Sequence, residues 1–285
     1  MSQYHTKPTR FVEQVNIKVK NLEQSVAFYQ TMIGFQILEK ANNTVSLTAD
    51  GIKPLVILET SEDITVKQRR TTGLYHFALL LPTLKDLGKL LKHLIESKYP
   101  LEGASYHGMS NAIYLADPDG NGIEICVDTD PATWFSPNGN LDISNNGPMD
   151  IRMVLMASNQ ETFEGLPTDT RMGHIHLHVS EFVKIKEFYV KGLGFEITIE
   201  IPNQAVFFAS GGYHHHIGTN VWNGVGASKP SINSIGLSFY TIVLPNEEDR
   251  AECIQRLIGL GYVVEEIDQE YFTEDPSGNR ICLKV

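Results

Sequence analysis

The chain is poor in cysteine. Its three, Cys126, Cys253 and Cys282, stand far apart with no CxxC spacing, which argues against a disulfide framework and against a cysteine-built zinc or redox motif. They read as reduced, buried thiols. Long apolar runs are also missing: nothing approaches the roughly 18 residues that a membrane span needs. The opening stretch MSQYHTKPTRFVEQ lacks the apolar core of a secretory signal, so the expected location is cytoplasmic, with no membrane partner. Positive charge is short as well. Against 34 Asp and Glu there are 23 Lys and Arg, a formal net charge of -11 with no basic cluster, and such a field repels a phosphate backbone. Nucleic acid is therefore not an expected partner.

What is present is a hydrophobic fraction of 42% in 285 residues, enough for a sizeable core and about two domains of ordinary size. There is also repetition. QVNIKVKNLEQSVAFYQTMIGFQILEK (14–40) and HIHLHVSEFVKIKEFYVKGLGFEITIE (174–200) share one pattern. Each has an alternating strand, Asn21 or Ser180 as an N-cap, an amphipathic helix ending in Phe-Tyr, and Gly-Phe entering a second strand. A second pair begins GLYHFALLLP (from 73) and GLSFYTIVLP (from 236), each followed by a helical stretch. Both members of that pair close on a turn, LADPDGNGIEI (115–125) and TEDPSGNRICL (273–283). The expected fold is therefore α+β, four βαβββ modules at about 10–60, 73–128, 172–222 and 234–285, forming two curved-sheet pairs. The Asn-, Pro- and Gly-rich stretch after the second module reads as a linker, 129–170.

These repeats resemble the vicinal oxygen chelate superfamily, the glyoxalase, bleomycin-resistance and extradiol-dioxygenase group, over nearly the whole chain. The resemblance implies modules that pair round a cleft holding a divalent metal, with ligands from the first and last strands of a module. It divides the chain into a first such domain at 10–128 (modules one and two) and a second at 171–285 (modules three and four). Aligning the apolar residues puts Gln14, His76, His174 and Phe239 at the first-strand ligand position of the four modules. Glu124 and Cys282 stand at the last-strand position of modules two and four. His76, Glu124 and His174 are thus the expected metal ligands, and the active cleft is expected between modules two and three. Two neutral imidazoles and a carboxylate leave about half of an octahedral shell open, which suits Fe(II) that must seat a diol and dioxygen together; Mn(II) also suits this set.

The stretch YHGMSNAIYLADPDGNGIE is similar to type I extradiol ring-cleaving dioxygenases, in which His-Gly-x-Ser-Asn-Ala leads to a Tyr and then to the ligand Glu; here the spacing from Ala112 to Tyr114 is shorter than usual. The resemblance implies that Tyr114 hydrogen-bonds an oxygen at the metal and that His107 hydrogen-bonds oxygen or product. In GGYHHHIG the family's acid-base histidine falls on His215, with His216 favoured by a slip of one residue. His215 faces a cleft only if His214 and His216 face away, as in a strand. Such a group accepts a substrate proton and later returns it, which suits an imidazole titrating near neutrality.

The expected function is extradiol cleavage of a catechol-type or hydroquinone-type aromatic diol with Fe(II) and O2, in the manner of the four-module catechol 2,3-dioxygenase-like group. A glyoxalase-type isomerase or thiol transferase is the first rival, normally showing a Glu where residues 214–216 offer His. A non-catalytic binder of small aromatics is the second. Open curved sheets leave edges that another subunit can cover, so a homo-oligomer is compatible with this reading.

Overall fold

The computed structural model describes residues 3–285. Four βαβββ modules follow one another. The first has β1 (Phe11–Lys18), α1 (Leu22–Phe28) running into a π-type turn at Tyr29–Ile33, β2 (Gln36–Lys40), β3 (Thr44–Thr48) and β4 (Val56–Glu59). The second has β5 (Gly73–Leu80), α2 (Leu84–Glu96), β6 (Gly103–Tyr106), β7 (Ser110–Ala116) and β8 (Gly122–Asp128). Before the third come β9 (Gly147–Pro148) and α3 (Ile151–Ala157). The third has β10 (Arg171–His178), α4 (Val183–Lys186) with a π-type turn at Glu187–Gly192, β11 (Glu196–Ile201), β12 (Ala205–Ala209) and β13 (Ile217–Asn220). The fourth has β14 (Gly236–Val243), α5 (Glu247–Gly259), β15 (Val264–Ile267), β16 (Glu270–Glu274) and β17 (Arg280–Lys284). The expected α+β architecture is therefore what the chain adopts. Among the described residues, no helix is long and apolar enough to cross a membrane.

The helices start where side chains satisfy their first free N–H groups. Asn21, Thr83 and Asn246 each accept a hydrogen bond from the N–H three residues on. Ser180 does not act as a cap: its N–H donates to the Ser277 hydroxyl, and the Glu181 carboxylate accepts from the N–H groups of Val183 and Lys184 instead. A carboxylate there also complements the positive end of the helix. On α2, Leu87, Leu90, Leu91 and Leu94 form one fully buried stripe.

Two sheets result, with strand orders β11-β12-β13-β10-β5-β8-β7-β6-β9 and β15-β16-β17-β14-β1-β4-β3-β2. In modules two, three and four the first strand pairs in parallel with the last: β5 with β8, β10 with β13, β14 with β17. That arrangement brings a first-strand and a last-strand side chain of one module together on one face.

By contacts the chain groups into two compact units. One comprises residues 21–60 and 76–173, the other the segment ending at Lys20 with 61–75 and 174–285. Each is organised round a buried tyrosine-aspartate pair. In the first, Tyr29 donates its hydroxyl to Asp117 Oδ2 (3.2 Å), while Asp117 Oδ1 accepts from the backbone N–H of Asp119 and Asn121. In the second, Tyr189 donates to Asp275 Oδ2 (3.1 Å) and Asp275 Oδ1 accepts from the N–H of Ser277 and Asn279. The Asp-Pro turns are thus docking points as well as turns. Burial raises both carboxyls above the usual range and lifts both phenols well above theirs.

The 129–170 segment, expected as a linker, carries structure of its own. Trp134 is buried and donates its indole N–H to the Thr129 hydroxyl (3.0 Å), and α3 packs on α2 so closely that a Cβ at Gly88 would collide with the Val154 carbonyl.

Candidate functional site

In β5 and β8 the register pairs Ala78 with Glu124. His76 lies two residues before Ala78, so the imidazole and the carboxylate project from the same face. They meet: His76 Nε2 lies 3.0 Å from Glu124 Oε2, and the two residues are only 6% and 3% exposed. Beneath them Ala78, Leu80, Ala112 and Cys126 make an apolar floor against which Tyr114 packs. Cys126 stays a thiol there, its pKa lifted well above the ordinary value by burial and then by the charge of Glu124. Tyr114 is the cross-strand partner of Glu124, and its ring centroid is 5.7 Å from that of His76. His107 sits in the turn between β6 and β7, where Gly108 takes the positive φ (74°) that the turn requires, and its Nε2 is hydrogen-bonded to the Tyr114 hydroxyl at 2.8 Å.

Along β10, His174, His176 and His178 project from one face. His174 is buried, and the ring of His215 lies 4.1 Å from it between centroids. The strand-alternation premise for choosing among the three consecutive histidines does not hold, because residues 214–216 precede β13 and have no strand geometry. His214 and His215 lie side by side, Nδ1 to Nδ1 at 2.8 Å, with His214 stacked on Tyr213 at 3.9 Å. Only one of those nitrogens can carry the hydrogen, so each ring dictates the tautomer of the other. His216 is committed elsewhere: Ser210 N–H donates to its Nδ1, and its Nε2–H donates to the Tyr4 carbonyl (2.9 Å). Burial, followed by the neighbouring His5, holds its pKa well below the ordinary value.

One ligand atom each from His76, Glu124 and His174 lie within 4.8 Å of one another, all three residues being buried. Burial of a carboxylate is offset by a positive charge or hydrogen-bond donor beside it, and two imidazoles with a carboxylate are a donor set for a divalent cation. The residues present therefore fit the metal that the sequence leads one to expect. Of the other expected residues, Tyr114 and His107 are linked to each other beside Glu124, and His215 lies against His174.

One residue escaped sequence reasoning. In module three the register pairs His176, two residues after His174, with Gly218. Gly218 thus occupies the place that Glu124 holds in module two, and a Cβ there would meet the His176 ring at 3.0–3.2 Å. The signal was an equal offset from the first-strand histidine, which only the observed strand pairing makes countable. Module four shows the same offset, Thr241 pairing with Cys282, two residues after Phe239. There the thiol pKa is pushed up to about 12, chiefly by burial, so with no cation beside it the group stays a thiol at neutral pH.

A family model described as Glyoxalase/Bleomycin resistance protein/Dioxygenase superfamily matches residues 12–125 and 171–283. A catechol-2,3-dioxygenase of Bacillus subtilis (strain 168) is 41% identical over 272 residues, covering 94% of this chain and 95% of that protein. Among solved structures, glyoxalase I from Zea mays superposes with a TM-score of 0.59 at 15% identity, covering 96% of this chain and 92% of that one. The cppA protein from Streptococcus pneumoniae TIGR4 gives 0.56 at 12% identity, covering 97% and 99%. At such identities these two structures speak for the fold alone.

Proposed function

The chain belongs to the Glyoxalase/Bleomycin resistance protein/Dioxygenase superfamily and is a dioxygenase, and from that premise we propose that it cleaves the ring of a catechol-type or hydroquinone-type diol beside the hydroxyls, using Fe(II) held by His76, Glu124 and His174. The observation that carries the reading is the composition of the donor set: three buried protein ligand groups, with Gly218 at the register position where a second carboxylate would stand. A glyoxalase-type isomerase normally adds that carboxylate. A metal held by these three residues would supply Lewis-acid chemistry, lowering the pKa of a diol bound to it.

The protein's own groups then have distinct tasks. His215, against His174 and fixed by its hydrogen bond to His214, takes a proton from the diol hydroxyl and later returns it. Tyr114 presents its hydroxyl beside Glu124 and orients a diol oxygen; His107, bonded to that hydroxyl, sets the direction in which the phenol donates. Phe207, with its ring 5.1 Å from that of His215, and the Ala78–Cys126 floor provide apolar walls that keep water from the reacting oxygens.

Protein prepared without oxygen is loaded with Fe(II) or Mn(II), then exposed to air with a panel of catechols and hydroquinones. Oxygen uptake and a yellow ring-opened product are expected. Turnover of a thiol-aldehyde adduct with no uptake for any diol would make the protein an isomerase instead.

A further inference from the structure

Beyond His174 the same face of β10 continues into a group of rings with no task in the proton transfers. Successive same-face residues on a strand stand about 7 Å apart, so His176 lies about 7 Å and His178 about 13 Å along from His174. Gly218, beside His176, has no side chain, and the His176 ring lies over it. Around His176 stand Tyr75 at 5.2 Å, Phe207 at 5.5 Å and Trp222 at 5.6 Å between centroids. Tyr75 in turn meets Trp222 edge-on at 5.2 Å and His178 at 5.1 Å. Asn220 ties the group down, its Oδ1 accepting both from His178 Nδ1 (2.7 Å) and from the backbone N–H of Trp222 (3.1 Å).

Exposure rises steadily along this wall. His174 is 2% exposed and His176 5%, whereas Tyr75 is 40% and Trp222 52% exposed. Two large aromatics left half in solvent at the open end of a buried histidine row are placed to be covered by a ligand. A diol bound beside His174 would have His176 next along this face, and a substituent on the far side of its ring would reach toward Tyr75 and Trp222. None of Tyr75, His176, His178, Phe207, Asn220 and Trp222 is a lysine, arginine, aspartate or glutamate, so the wall offers ring faces and edges and no fixed charge.

We propose that Tyr75, His176 and Trp222 form a subsite for an uncharged, apolar substituent, alkyl or aryl, on the ring of the diol, with Asn220 and His178 holding it in shape. This rests on the ring-cleavage reading, which the substrate panel tests separately. The decisive quantity is the ratio of kcat/KM for an alkyl- or phenyl-substituted catechol to that for catechol. In the parent protein the ratio exceeds one, and a carboxylate-bearing catechol falls below catechol. Trp222→Ala lowers the ratio about tenfold, the equivalent of an aromatic contact together with its buried area, and Trp222→Phe restores most of it. A ratio unmoved by Trp222→Ala and Tyr75→Ala, in protein that still cleaves diols, overturns the subsite and leaves the function standing. A binding measurement decides the subsite even if no diol is cleaved. In a Trp134→Phe background Trp222 is the only tryptophan. Its emission is titrated with the substituted diol on anaerobic, Zn(II)-loaded protein. Saturable quenching, tighter for the substituted diol than for catechol, supports the assignment; equal or absent quenching sinks it.

Discussion

The two sheets are built from the same module, yet they carry different side chains at equivalent places. In the nine-stranded sheet, β5, β8 and β10 present His76, Glu124 and His174. In the eight-stranded sheet, β1, β14 and β17 present Gln14, Phe239 and Cys282, and the Gln14 amide is spent on a hydrogen bond to Asn16 (2.7 Å). The backbone that brings a first strand beside a last strand in parallel is present in both. What separates an assembled donor set from an inert one is therefore side-chain identity at a few register positions. The βαβββ frame supplies proximity, and chemistry is added or withheld residue by residue.

That contrast can be broken directly. Glu124→Gln should strip the metal and cut dioxygenase turnover by at least about a thousandfold, because the metal supplies several kcal/mol of charge stabilisation. Cys282→Ser, at the matching place in the other sheet, should leave metal content and turnover as they were. Equal losses from both, measured by bound metal and oxygen uptake, would make the sheets functionally alike. His215→Ala should keep the metal yet slow turnover by about two to four decades. Release of the metal from that variant would mean that His215 is a ligand.

The two compact units allow a subtler comparison. Tyr189 shares its hydroxyl with both Asp275 and Tyr240, the latter at 2.8 Å, whereas among the described residues the Tyr29 hydroxyl bonds Asp117 alone, and module two places Phe77 where module four has Tyr240. Tyr189→Phe should therefore cost about 2 kcal/mol in urea unfolding and Tyr29→Phe about 1, since two buried polar groups lose a partner in the first case and one in the second. The reverse ranking would show that the extra tyrosine contributes nothing.

A last predicted effect is on pH dependence. His216 is held neutral in the fold, with its pKa depressed by burial, while in the unfolded chain it takes up a proton near about 6.5. The unfolded state then binds more protons, so stability is complete above that value and falls on acidification by up to about 1.4 kcal/mol per pH unit until the folded pKa is reached. Melting temperatures between pH 7.5 and 5.5 should decline less steeply for His216→Gln than for the parent; parallel curves would exclude His216 as the source.

Much of this was legible before any coordinates. Repeats of strand, capped helix and Gly-Phe strand entry are local patterns, and local patterns survive in a linear text: Asn21 caps its helix as its position suggests. Where the reading failed, it had borrowed a local rule for a place governed by distant contacts. Ser180 resembles a cap, yet it is engaged by Ser277, 97 residues away. The consecutive histidines resemble a strand, yet they form an irregular approach to β13, held by Tyr4 and Thr198. The Asp-Pro turns read as turns only, because Tyr29 and Tyr189, which donate to Asp117 and Asp275, lie 88 and 86 residues away.

Periodicity and capping chemistry thus sufficed to establish the number of modules, their α+β character and which of them keep histidine or carboxylate at strand starts and ends, since those depend on residues within one or two turns of chain. The register that opposes Gly218 to His176, the pairing of His214 with His215 and the row of rings from His176 to Trp222 became readable only in the folded chain. Strand pairing shifts every side chain to the opposite face with a slip of one residue, and that choice is made by packing across the whole sheet.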